Sequence, residues 1–337
     1  MIHQITINNF RGIESEVLDI KPLTLLTGLN STGKSTCFQA ILTCLYYNNG
    51  TNANIMLSSF DFSFTTNRNR NVNAKSFYIE VVCDNEKSFN TEMLGEYEVI
   101  SQKNTEVDLE DSFYYLSANR LAFNQDMETV SPKYKVGVQG EYIFGSFEVE
   151  KSKSLDVKLV KDKNSETLSA QLNWWLTYIL GIKFELETEK ITSNRVKVIY
   201  KSNNLPNLAP QQLGVGVSYL AKILITCLRA KKGDTLMLEN PEIHLHPAAQ
   251  SRLGEFFVYI TNAGIQLLIE THCENLLNKI QYEVYKNHIS HTDAVLYYKG
   301  GITDPFQRLD FMSNGKFNTE FPEGFFDATL DEMLEMD

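Results

Sequence analysis

The stretch "GLNSTGKS", Gly28 to Ser35, fits G-x-x-x-x-G-K-[ST] at every position, and no other feature of the chain limits its fold as strongly. A short apolar run, "LTLL", precedes it, and "STCFQAILTCLYY" follows with apolar residues at helical spacing. The expected local order is therefore strand, glycine-bearing loop, helix. In such a loop successive backbone N–H groups curl round phosphates, and glycines permit the turn. The helix that follows points its partial positive end at the same charge. The candidate phosphate-binding residues are Gly28, Asn30, Ser31, Thr32, Gly33, Lys34, Ser35 and Thr36. Lys34 is expected at the β- and γ-phosphates and the Ser35 hydroxyl on a magnesium ion, so the cofactors implied are ATP and Mg2+.

A phosphate loop needs an acid delivered from a second buried strand. "TLMLENPEIHLHP", Thr235 to Pro247, supplies one: the apolar run ends at Glu239, a candidate metal ligand. The next position, where many nucleotide hydrolases keep a glutamate, holds Asn240. An amide can orient a water but cannot take its proton at neutral pH. Glu242 can, if the turn at Pro241 swings it toward the γ-phosphate. Two readings stay open at this point, a working ATPase and a nucleotide-gated switch that barely turns over.

His272 follows the apolar strand "IQLLIE" and Thr271, which places an imidazole at a carboxyl-end strand edge, where ligands sit in open α/β sheets. Glu242, Asn240 and His272 form the candidate catalytic set. His244 and His246 stand at i and i+2 beside Pro247 and lack the i, i+4 spacing of a helical zinc pair. A structural role, or contact with a facing subunit, is expected of them.

Alternation of strand and helix recurs in the last third, as a mainly parallel sheet with crossover helices produces. The expected class is α/β. Residues 1–47 and 206–337 read as two halves of one lobe, with 48–205 inserted as a β-rich and helical region. Within the insertion, strands are expected at Ser76 to Cys83, Glu96 to Ser101, Phe113 to Ser117, Tyr142 to Glu150 and Arg195 to Tyr200. One helix is expected around "SETLSAQLNWWLTYIL", its Trp174 and Trp175 packing a core. Asn48 to Arg70, rich in Asn, Ser and Thr, reads as loop.

The formal net charge of −11 argues against a chain that coats DNA through its overall field, while leaving room for a local basic groove. The best stretch for one is Lys151 to Lys163, "KSKSLDVKLVKDK", read here as a solvated lysine-rich face. Five cysteines without CxxC spacing point to a reducing compartment and no zinc site. The start "MIHQITINNFRG" has no basic segment followed by an apolar one, and nothing approaches ~18 consecutive apolar residues. A cytoplasmic location and no membrane partner are expected.

Taken together, "ITINNFRGIES…LTLLTGLNSTGKST", "LMLENPEIHLHPAAQ" and "LLIETHCENLL" resemble the ABC/SMC-like ATPases, specifically the RecF-like and OLD-like bacterial ATPases of the AAA-21 group. "YYLSANR", "VGVQGEY" and the ending "FPEGFFDATLDEMLE" resemble that group too. The resemblance implies an ABC-type head and a head-to-head homodimer, each ATP held between the phosphate loop of one subunit and a signature segment of the other. "LGVGVSYLAKIL" is the signature candidate, with Gly214, Gly216 and Ser218 approaching phosphate, although its order departs from the family's serine-glycine-glycine run. By the same resemblance Gln139 is a candidate metal- and water-contacting glutamine, and Arg11 approaches the nucleotide.

OLD-like relatives carry a C-terminal nuclease domain, whereas only 65 residues follow His272 here and no DxD pair is present. The resemblance therefore implies an ATPase subunit whose effector is a separate protein, as in multi-gene antiphage systems. A hydrolysis-poor scaffold and a RecF-like, DNA-binding repair ATPase are the alternatives. The acidic tail "EGFFDATLDEMLEMD" reads either as a capping helix or as a docking segment.

Overall fold

The computed structural model describes residues 1–48, 74–84, 88–94, 98–103, 109–119, 127–131, 134–202 and 205–322. Most of the loop expected at Asn48 to Arg70, and the acidic tail, lie outside the described residues.

Strands β1 (Ile2–Phe10), β2 (Ile13–Asp19) and β3 (Leu23–Gly28) lead into helix α1 (Lys34–Asn48). Then come β4 (Ser76–Cys83), β5 (Ser88–Leu94), β6 (Glu98–Lys103), β7 (Phe113–Leu116) and β8 (Met127–Thr129). Helices α2 (Ile143–Glu150) and α3 (Leu168–Leu180) precede β9 (Phe184–Thr192), β10 (Arg195–Ser202) and β11 (Leu205–Leu208). The last third runs α4 (Val215–Arg229), β12 (Thr235–Glu239), α5 (Pro247–Asn262), β13 (Gln266–Glu270), α6 (Glu274–Tyr285), β14 (Ala294–Lys299) and β15 (Gln307–Asp310).

The central sheet has the order β15-β14-β3-β13-β12-β7. Every neighbouring pair in it is parallel except β14 with β15. Strands β3, β12, β13 and β14 are apolar and buried nearly throughout because both faces are covered, whereas the edge strand β15 is polar and partly exposed. Alternate side chains enter two different cores, as the strand period of two requires. Leu25, Leu236, Leu267 and Leu296 join one core, while Leu26, Met237, Leu268 and Val295 join the other. The first core is completed by helices α2 to α6 and by the small sheet β11-β10-β8, with β9 on β10. The second is completed by α1, through Phe38, Ile41 and Leu45, and by the antiparallel sheet β2-β1-β4-β5-β6.

Segments between 48 and 205 thus take part in all three sheets: β4 pairs with β1, β7 with β12, and β10 with β11. The α/β class with a mainly parallel sheet stands. One element differs from expectation. Tyr142 to Glu150 is not a strand, since Ile143–Glu150 forms α2. Its buried Ile143, Phe144 and Phe147 recur at i, i+1 and i+4, which is one face of a helix, and the aromatic content that suggested a strand serves core packing instead. Trp175 is fully buried against Phe256 and Tyr259, while Trp174 stacks on Tyr178 at 5.3 Å.

Candidate nucleotide site

Strand β3 ends at Gly28 with φ of +134°, and Leu29 N–H donates to the Lys299 carbonyl at 3.1 Å. A side chain at Gly28 would overlap the Lys299 backbone, so the loop leaves the sheet here only because residue 28 is glycine. Ser31 and Gly33 also have positive φ, 61° and 101°, which curls the loop before α1 starts. Asn30 and Ser31 are exposed, whereas Thr32, Lys34 and Thr36 are buried. Thr32 Oγ1 donates to the Leu29 carbonyl at 2.8 Å, and Thr36 N–H donates to the Gly33 carbonyl at 3.1 Å.

Lys34 Nζ donates to the Leu29 carbonyl at 2.5 Å, curling back over its own loop. Burial lowers its pKa, and the nearby Glu270 carboxylate pulls the other way. Arg11, at the β1–β2 turn with φ of 52°, donates from Nη1 to Gln39 Oε1 on α1 at 2.6 Å. It is therefore tied to the helix that begins at the phosphate loop.

The acids arrive on the carboxyl ends of β12 and β13. Glu239 and Glu270 are register partners in the parallel ladder. Ser35 Oγ donates to Glu270 Oε1 at 3.0 Å, which puts Glu270 at the start of α1. Its second oxygen, Oε2, is buried without a hydrogen-bond partner. Burial pushes Glu270 up to about 7; Glu239 and Glu242 add to the rise, while Ser35 and Lys34 oppose it. Glu239 is held from the other side, by the Tyr115 hydroxyl at 2.7 Å and the Ala118 amide at 3.0 Å.

Glu242 is buried and its Oε1 accepts the His272 amide at 3.1 Å. The intervening Asn240 has φ of 41° and donates its N–H to the Glu270 carbonyl at 2.8 Å. His272 is exposed as a residue, yet partial desolvation of its imidazole and the charge of Lys34 lower its pKa, against a hydrogen bond to the Gly28 backbone that raises it. Asn240, Glu242 and His272 line one open cleft together with His244 and Gln250. His246 caps α5, its Nδ1 accepting the Ala248 amide at 3.3 Å.

The Gln139 segment is fixed by a buried carboxylate. Glu110 accepts the amides of Lys135, Val136 and Gly137 at 2.5, 2.8 and 2.6 Å. Ser117 N–H donates to the Val138 carbonyl at 3.0 Å, docking this segment beside the loop that holds Glu239. Gln139 itself is half-buried, and its backbone N–H donates to Glu141 Oε2 at 2.9 Å. Gly214 caps the amino end of α4 and is exposed. Gly216 packs against the His244 backbone, where a side chain would overlap the carbonyl. Ser218 faces inward, 2% exposed, with the Tyr200 hydroxyl donating to it at 3.3 Å.

The structure thus brings Lys34, Ser35, Glu239, Asn240, Glu242 and His272 to one edge, and places Gly214, Gly216 and Ser218 on a separate segment against the His244 turn. Three residues at the site escaped sequence reasoning: Glu270, Tyr115 and Glu110. Only Glu270 left a signal, as an acid ending an apolar run in the manner of Glu239. The donor set is all oxygen, from the Ser35 hydroxyl and the two register-paired carboxylates, which suits magnesium, and Glu270 Oε2 is an orphaned buried acceptor there.

Residues 23–278 match the AAA_21 family, described as "AAA domain, putative AbiEii toxin, Type IV TA system". The chain belongs to that family and is a P-loop ATPase of the ABC/SMC-like type. It is similar to the Old nuclease of Escherichia phage P2, 35% identical over 63 residues, a match covering 18% of this chain and 11% of that protein. The chain thus spans about a tenth of the length of that relative. Among solved structures, an SMC head domain with an extended coiled coil, bound to the C-terminal domain of ScpA from Pyrococcus furiosus, aligns over 100% of this chain and 99% of its own, with TM-score 0.60 and 12% identity. The SMC head bound to the C-winged helix domain of ScpA aligns over 92% of this chain and 97% of its own, with TM-score 0.57 and 12% identity. These two likenesses establish the SMC-head fold. Among the described residues no helix is long and apolar enough to cross a membrane.

Proposed function

We propose that the chain binds and slowly hydrolyses ATP in a head-to-head homodimer that controls a separately encoded effector in antiphage defence. The observation that carries the hydrolytic part is the meeting of the Ser35 hydroxyl with Glu270 at 3.0 Å, beside buried Lys34 and with Glu239 as the register partner of Glu270 on the next strand. A bound magnesium ion would supply positive charge to offset the negative charge that develops in phosphoryl transfer. Ser35, Glu239 and Glu270 are the residues that would hold it. Lys34, released from the Leu29 carbonyl, reaches the β- and γ-phosphates. The Gly28 to Ser35 amides cradle the same groups.

Glu242 is the base in this reading: it accepts the proton of the attacking water while His272, whose amide it holds, donates to the γ-phosphate. Asn240 orients that water. Because Asn240 stands where a glutamate is common, turnover is slow; losing a well-placed base costs ~10²–10⁴ in rate. The same residue favours a second reading, a nucleotide-gated scaffold that closes on ATP and scarcely turns over. In either, Gly214, Gly216 and Ser218 serve the partner subunit's nucleotide. Ser218 would do so through backbone or by turning out of its bond to Tyr200.

The dimer is tested by light scattering on the eluting protein with and without ATP and magnesium. The reading expects the mass to double with ATP in the wild type and to stay monomeric in Lys34→Ala. A mass that is the same with and without ATP would remove the nucleotide sandwich.

A further inference from the structure

A second pocket lies at the opposite end of the central sheet. It has a volume of about 350 Å³ and opens between the end of α4, the approach to β12 and β13, and the segment that follows α2. Ala230 to Lys232 line it just before β12 begins at Thr235, whereas the nucleotide site lies past the other end of that strand, at Glu239. Four strand steps separate the two ends, roughly 13 Å at ~3.3 Å per residue. The two sites are therefore distinct.

The pocket has an apolar floor and a cationic rim. Tyr114, Val136, Leu159, Leu168 and Ile265 form the floor and are all buried or nearly so. Lys135, Lys153, Lys231 and Lys232 stand on the rim. Two acids also line it, and both are engaged. Glu150 accepts Arg229 Nε at 2.6 Å and Lys153 Nζ at 3.2 Å, and Asp156 Oδ1 accepts the Lys158 amide at 2.9 Å as a cap. Arg229, 8% exposed, is committed to Glu150, to Ser146 at 2.7 Å and to the Lys135 carbonyl at 3.3 Å, so it builds the wall. Against Lys135, Lys153, Arg229, Lys231 and Lys232 stand only Glu150 and Asp156, so the lining carries an excess of three positive charges, five less two, on a chain whose net charge is −11. Lys153 to Asp156 come from the lysine-rich stretch that composition alone assigned to a solvated face.

A concave site of a few hundred Å³ with an apolar lining and convergent charged groups is what a small ligand needs. Several lysines on one rim match a multiply charged oxyanion such as phosphate, and a buried apolar floor matches a flat ring. We infer that this pocket binds a phosphate-bearing small molecule with a planar apolar body, of mononucleotide size, at a site separate from the ATP site. Lys153 and Lys231 meet the phosphate, and Tyr114, Leu155 and Leu159 meet the ring. The pocket also adjoins the Lys135 to Gly137 segment that Glu110 fixes.

The probe is AMP, measured by calorimetry on the full-length Lys34→Ala protein, which disables the phosphate loop. The expected result is binding with a Kd of about 1 mM or tighter. The Lys153→Glu/Lys231→Glu double substitution should weaken it by about tenfold or more, equivalent to ~1.4 kcal/mol. These two lysines are exposed, so the thermal midpoint should hold. Leu155→Trp, which changes no charge, fills the mouth and should weaken AMP equally. Inorganic phosphate, lacking the ring, should bind more weakly than AMP. The inference is overturned by no AMP binding in the millimolar range, by binding that neither variant alters, or by phosphate binding as tightly as AMP.

Discussion

Ser35 and Glu270 are 235 residues apart in sequence and share a hydrogen bond of 3.0 Å at the start of α1. The bond exists because β13 lies between β3 and β12, so the acid on β13 is nearer the phosphate loop than Glu239 is. Glu270 thus accepts from the same Ser35 hydroxyl that the proposed function assigns to magnesium.

Glu270 should make the stability of the protein pH-sensitive. Its carboxyl, 4% exposed, rises from 4.5 unfolded to about 7 folded. Between those values the folded state holds a proton that the unfolded state has lost, so stability falls as pH rises from about 4.5 to 7. The loss is on the order of 3 kcal/mol at most. Urea denaturation across that range, without magnesium or nucleotide, should show the decline in wild type and lack it in Glu270→Gln.

His272 should titrate below the 6.5 of a free imidazole, because burial disfavours the charged ring and Lys34 repels it. It is then neutral at pH 7 and able to donate one N–H to phosphate. Substituting Lys34→Ala removes the repulsion and should move the midpoint up toward 6.5, as read from the imidazole resonances by NMR. A midpoint that stays put would separate the two residues.

At Gly28 any side chain meets the Lys299 backbone, and φ of +134° is open to glycine almost alone. Gly28→Ala should therefore cost ~2 kcal/mol or more and abolish ATP binding, by denaturation and by nucleotide fluorescence. A variant of wild-type stability that still binds ATP would contradict the loop geometry.

Gly216→Ala places a methyl against the His244 carbonyl. The start of α4 and the His244 turn must then part, at about 1–3 kcal/mol. ATP-dependent dimerisation should weaken while ATP binding to the monomer persists, a difference that light scattering and equilibrium binding separate.

How much of this was legible beforehand depended on range. The phosphate loop, the acid run at Glu239 and the buried parallel strands follow from local spacing, and they fold as read. Tyr142 to Glu150 misled because Tyr, Ile, Phe and Val suit a strand equally well over so short a span, and only packing selects the helix. Glu270 ended a strand just as Glu239 did, yet its role depends on sheet order, which no local pattern encodes. Tyr115 reaches Glu239 across 124 residues, and Glu110 holds the Gln139 segment through three amides; both are tertiary facts.

With Glu242 as base, Asn240 should leave hydrolysis slow but intact. Single-turnover hydrolysis with enzyme in excess over ATP, at concentrations that support dimerisation, tests it directly. Wild type should convert the ATP completely, Lys34→Ala should convert none, and the rate should be about 10²–10⁴ lower for Glu242→Gln. A Glu242→Gln rate equal to wild type would contradict the assignment. ATP bound by wild type yet intact after hours would make the chain a switch, with Asn240 as the reason.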